Sequence, residues 1–66
     1  MSFTYIAEIM SNKDVVESTT TSNMTKAVDW ANDNAISGDQ LLISEGYTCS
    51  DGIVDKHDLL MTWRMD

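Results

Sequence analysis

The sequence predicts an α+β domain: an antiparallel sheet of four to five strands with one amphipathic helix packed on one face, in the order β-β-α-β-β. Apolar residues alternate with period two near both ends of the chain, as strands require. In the middle they recur at three- and four-residue spacing, as a helix requires. Proline is absent, so nothing forces a break, and residues 1–66 read as a single domain.

In residues 3–10, Phe3, Tyr5, Ala7 and Ile9 fall on one face of a strand, and Thr4, Ile6, Glu8 and Met10 on the other. The first face is wholly apolar and is expected to point inward. Ser11, Asn12, Lys13 and Asp14 make a polar turn. Residues 15–21 carry Val15, Val16 and the run Thr19, Thr20, Thr21, whose β-branched side chains suit a half-exposed strand. The two segments read as a hairpin, although its loop lacks glycine.

Met24, Ala27, Val28, Ala31 and Ala35 form the helical stripe, and small alanines there let a helix lie close to a sheet. Ser22 is well placed as N-cap, with Asn23 as the alternative. Gly38 is well placed as the left-handed residue that ends the helix. Trp30 lies on one flank of the stripe, while Lys26, Asp29 and Asp33 face outward.

Residues 40–45 read as a third strand, with Leu41 and Ile43 on one face and Leu42 on the other. Residues 46–52 are small and polar and read as a loop that holds Tyr47, Cys49 and Asp51. Ile53 and Val54 form a short strand, and Asp55, Lys56, His57 and Asp58 a polar turn. In the last strand Leu59, Met61, Trp63 and Met65 alternate against Leu60, Thr62 and Arg64.

A 66-residue chain has a thin core and marginal stability. Its 42% hydrophobic content nevertheless argues against disorder, despite a net charge of −7. One cysteine, Cys49, allows no internal disulfide, and one histidine with it builds no structural zinc framework. No basic region followed by an apolar run opens the sequence, and no stretch is long enough to span a bilayer. The expectation is a soluble cytoplasmic protein. Eleven acidic residues against four basic ones, with Lys13, Lys26, Lys56 and Arg64 scattered singly, argue against nucleic acid or anionic lipid as a direct ligand. They favour a protein partner with a basic surface.

Catalytic and metal-binding constellations fail on spacing. Asp51, Asp55, His57 and Asp58 are the densest group of candidate ligands, but they miss the calcium-loop pattern, and no second histidine exists. His57 as base and Cys49 as nucleophile would need an enclosed pocket with oxyanion donors, and so short a chain offers little volume for one. No enzyme, cofactor or metal is expected.

The candidates for partner binding are therefore acids and aromatics. Asp29 and Asp33 lie one helical turn apart, while Asp39, Glu45, Asp51, Asp55 and Asp58 fall in predicted turns and loops. Tyr47 offers ring area at small entropic cost, and Trp30 stands between core edge and contact residue. Trp63 shares a face with Leu59 and Met61 and reads as core. Ile6, Met10, Leu42 and Leu60 lie opposite the predicted core and would give the uncovered sheet face an apolar patch.

In size, acidity and element order, with an N-terminal strand Thr4-Tyr5-Ile6-Ala7-Glu8-Ile9, the chain resembles the small anti-defence proteins of bacteriophages, including anti-CRISPR and anti-restriction proteins. The resemblance covers the chain in outline and rests on no motif. It implies a phage-encoded inhibitor acting in the host cytoplasm, in the manner of a DNA mimic, on a basic surface of a nucleic-acid-processing or defence complex. Asp29, Asp33, Trp30, Glu45, Tyr47, Asp51, Asp55 and Asp58 are the residues expected to make that contact. The alternative is a non-enzymatic interaction module or homodimeric accessory subunit that binds through its uncovered sheet face.

Overall fold

The computed structural model describes residues 2–66, apart from the side chains of Ser2 and His57. Strands β1 (Ser2–Ser11) and β2 (Asp14–Thr21) precede helix α1 (Met24–Asn34), and β3 (Gln40–Thr48) and β4 (Val54–Arg64) follow it. All pairings are antiparallel, and the strand order is β2-β1-β3-β4. The α+β arrangement with one helix on an antiparallel sheet is as the alternation and the stripe predict.

The helix packs on β1, β2 and β3. Ala27 and Ala31, fully buried, meet Ala7, Ile9, Leu41 and Ile43, which share one sheet face because Ala7 pairs with Ile43 and Ile9 with Leu41. Full burial of side chains such as Ile9, Leu41 and Ile43 stabilises by about 1.5–3 kcal/mol each. Trp30 and Trp63 are both partly buried against this cluster, one from the helix and one from β4.

Local chemistry sets the element ends. Asn23, rather than Ser22, caps the helix: its Oδ1 accepts the Lys26 N–H at 3.2 Å. Gly38 does not close the helix. The helix ends at Ala35, which is extended and donates its N–H to the Ala31 carbonyl. Gly38, at φ +92, instead serves a separate turn in which the Asp39 N–H donates to the Ile36 carbonyl at 3.1 Å. Asp39 is no surface acid, since it is buried and its Oδ2 accepts the Ile36 N–H at 3.0 Å. The β1–β2 turn is tighter than the sequence suggests. Asn12 and Lys13 form it alone, both at positive φ (53 and 74), as a type I′ hairpin turn requires.

The second hairpin departs most from expectation. Its strands run through residues 46–48 and through Asp55, Lys56, His57 and Asp58, so Tyr47, Asp55 and Asp58 are strand residues and not loop or turn residues. Glu45 lies within β3, as the strand reading of residues 40–45 has it, and is paired with both Tyr5 and Asp58. Only residues 49–53 connect the strands, closed by the Cys49 N–H donating to the Ile53 carbonyl at 2.9 Å.

Two register shifts, between Ile43 and Ser44 and between Glu45 and Gly46, break the β3–β4 ladder. Such bulges bend and twist a strand and re-aim its side chains. Leu59 pairs with Ser44 and so turns to the back face, 55% exposed, instead of joining Met61 and Trp63. Phe3 also departs from the inward expectation, at 55% exposed, because it lies beyond the reach of the helix.

The back face is correspondingly less open than predicted. Ile6 is buried together with Thr4, Ser44 and Gly46, and Leu42 and Met10 are partly covered. Lys56, opposite Gly46, reaches the Glu8 carboxylate at 3.0 Å. In the strand register that path crosses the row of Ile6 and Ser44, so the lysine stem covers part of the expected apolar patch.

Candidate protein-binding face

Eleven helical residues span about 16 Å, short of the full length of β1 and β3. The helix begins just after Thr21, which pairs with Tyr5, and returns toward the Met10 end. The rows at and beyond its N-terminus are open or only partly covered on the same sheet face. One row is Phe3, Tyr47 and Asp55, and the next is Tyr5, Glu45 and Asp58.

These two rows join aromatic surface to negative charge. The Phe3 and Tyr47 rings meet at 4.9 Å between centroids, tilted by 55°, which fixes both as one apolar ledge. Tyr5 and Tyr47 are partly exposed, and Asp55 and Asp58 are exposed. Glu45 sits directly across the ladder from Asp58, a like-charge pair of the kind that costs stability in a sheet. Asp51 lies in the adjoining loop, where its Oδ1 accepts the Ile53 N–H at 3.1 Å.

Of the residues expected from sequence, Glu45, Tyr47, Asp51, Asp55 and Asp58 thus gather at the β3–β4 hairpin end. Asp29 and Asp33 are exposed on the helix, on the same side of the sheet but one layer further out. Trp30 lies on the helix, apart from this group, and like Tyr5 is partly buried against the core. Phe3 and Tyr5 were not among the expected contact residues. The signal that finds them is their pairing with Tyr47 and Glu45, which needs the register.

Charge is distributed unevenly between the two sides. The helix side carries Glu17, Asp29, Asp33, Glu45, Asp55 and Asp58, with Lys26 as its basic residue. The back pairs Lys56 with Glu8 and carries Arg64, which lies opposite Gln40. Among the described residues, no three His, Cys, Asp or Glu side chains are grouped to hold a metal ion. No helix of the described chain is long and apolar enough to cross a membrane.

No known protein family, curated protein or solved structure matches the chain.

Proposed function

We propose that the chain is a non-enzymatic inhibitor that docks a basic protein surface through the open end of its helix-bearing face. The observation that carries this reading is the convergence of Tyr5, Tyr47 and Phe3 with Glu45, Asp55 and Asp58 in two adjacent rows. Tyrosine is among the residue types enriched at binding hot spots, and charged groups commonly form the polar rim around them. Asp29 and Asp33 on the helix extend the negative field and steer a basic partner toward the anchors. A nucleic-acid-processing or defence complex fits, since such complexes present basic surfaces, and this is also what the resemblance to phage anti-defence proteins implies.

Immobilised chain should capture its partner from host lysate at low salt and release it as salt rises. The Glu45→Lys, Asp58→Lys variant should capture markedly less, while Lys26→Gln captures as before. Equal capture by both variants, or release insensitive to salt, contradicts the reading.

A second reading rests on β4, an edge strand whose exposed apolar run is Leu59, Leu60 and Met61. An unpaired edge of this kind invites pairing with another strand, including a second copy of the chain. Light scattering over a concentration series distinguishes the two. A dimer that Leu60→Lys dissolves favours self-association, and a monomer throughout removes it.

A further inference from the structure

At the end of the sheet opposite the acidic face lies an open surface pocket of about 320 Å³, lined by the partly buried Met10 and the exposed Asn12, Lys13, Gly38, Gln40 and Arg64. Its size is at the lower bound for small-molecule sites. The lining is the reverse of the rest of the molecule. A chain of net charge −7 with four basic residues places two of them, Lys13 and Arg64, in one pocket with no carboxylate in its wall. Neither forms an ion pair with a described residue, in contrast to Lys56 on Glu8.

Backbone structure holds this wall in place. The Gly38 N–H donates to the Met65 carbonyl and the Met65 N–H to the Asp39 carbonyl, each at 2.8 Å. Arg64 Nη1 reaches the Gly38 carbonyl at 3.4 Å, a long contact that leaves most of its five donors free at the rim of the pocket. Gln40 Nε2 donates to Thr62 Oγ1 at 3.1 Å, which orients the amide.

Lys13 sits where the fold does not favour it. Its φ of +74 in a two-residue type I′ turn is the position at which Asn-Gly hairpins place glycine. A lysine there costs stability relative to glycine, and its side chain lines the pocket. Backbone strain of this kind clusters at binding sites.

We propose that this pocket binds a compact oxyanion, and specifically the phosphate of a small phosphate monoester. Two unpaired cations match a group carrying a charge of about −1.5 to −2 at neutral pH better than they match a carboxylate. The Arg64 guanidinium supplies the paired donors that phosphate oxygens accept, and Lys13 supplies a point charge beside them. Asn12 and Gln40 are the polar neighbours, and the Met10 side chain gives apolar surface for the esterified portion.

The test is a titration of the full chain with inorganic phosphate, glycerol phosphate and acetate, read by amide chemical shifts at physiological salt. Saturable shifts at Asn12, Lys13, Gln40 and Arg64, with glycerol phosphate bound at least tenfold more tightly than acetate, are the expected result. Lys13→Gly should weaken phosphate binding at least tenfold while raising Tm by about 5 °C, because glycine relieves the turn. Arg64→Gln should weaken it similarly, and Lys26→Gln, on the helix, should leave it unchanged. Shifts that do not saturate, acetate bound as tightly as phosphate, or full affinity in Lys13→Gly would overturn the proposal. So would an equal loss in Lys26→Gln.

Discussion

The carbonyl oxygen of Asp55 on β4 occupies the space that a side chain at Gly46 on β3 would fill. A Cβ at position 46 would also lie 3.1 Å from Ile6 Cδ1. The two strands therefore close on each other only because position 46 has no side chain, and that closure brings Asp55 and Asp58 alongside Tyr47 and Glu45.

Gly46→Ala is accordingly expected to destabilise the chain by about 1–3 kcal/mol, the usual effect of forcing volume into a packed site. Urea denaturation measures this. Gly52→Ala makes a useful comparison, because a Cβ there meets open space and only the positive φ of 85 is strained. A Gly46→Ala chain as stable as wild type would mean that the strands approach less closely than described.

The helix start gives a second test. Asn23 Oδ1 accepts the Lys26 N–H, so Asn23→Ala should cost about 1 kcal/mol. Ser22→Ala should cost less than about 0.5 kcal/mol, as surface substitutions away from such features do. The reverse order in thermal or urea unfolding would move the cap by one residue.

Trp63 Nε1 donates to Asn32 Oδ1 at 3.1 Å and ties the outer strand β4 to the helix. Trp63→Phe keeps much of the ring packing and removes the donor, at an expected cost of about 0.5–1.5 kcal/mol. A double-mutant cycle with Asn32→Ala isolates the bond from the packing. Strict additivity of the two changes would show that the bond contributes nothing in solution.

The helix and the inner rows of the sheet are legible in the sequence because each follows one period without interruption. Ala27 and Ala31 on the stripe, and Ile9, Leu41 and Ile43 on alternating positions, go where the pattern sends them. The β3–β4 hairpin is less legible for a physical reason. Gly46 weakens a strand pattern, yet it is required in mid-strand by the approach of the Asp55 backbone. The run from Asp55 to Asp58 looks like a turn because an edge strand exposed to water tolerates charge as a turn does. Leu59 faces the back because a bulge interrupts the alternation, and residue identity alone carries no mark of that.

The site was legible as residues and not as a place. Glu45, Tyr47, Asp51, Asp55 and Asp58 stand out by type, but their convergence depends on a strand pairing that a loop assignment hides. Phe3 shows the same limit from the other side. Its apolar character assigns it to the core, whereas the short helix leaves it on an open ledge beside Tyr47.

The central claim is that aromatic and acidic rows at the β3–β4 end anchor a basic partner, with the helix acids serving only to steer it. Binding kinetics on the captured partner test this most directly, with three variants of the chain compared with wild type. Tyr47→Ala and the Glu45→Lys, Asp58→Lys pair should each raise the dissociation rate at least tenfold, as loss of an anchor does. Asp29→Lys, Asp33→Lys should instead slow association severalfold, and less so at high salt. Unchanged dissociation from both anchor variants, with the loss of affinity confined to the helix variant, would contradict the account.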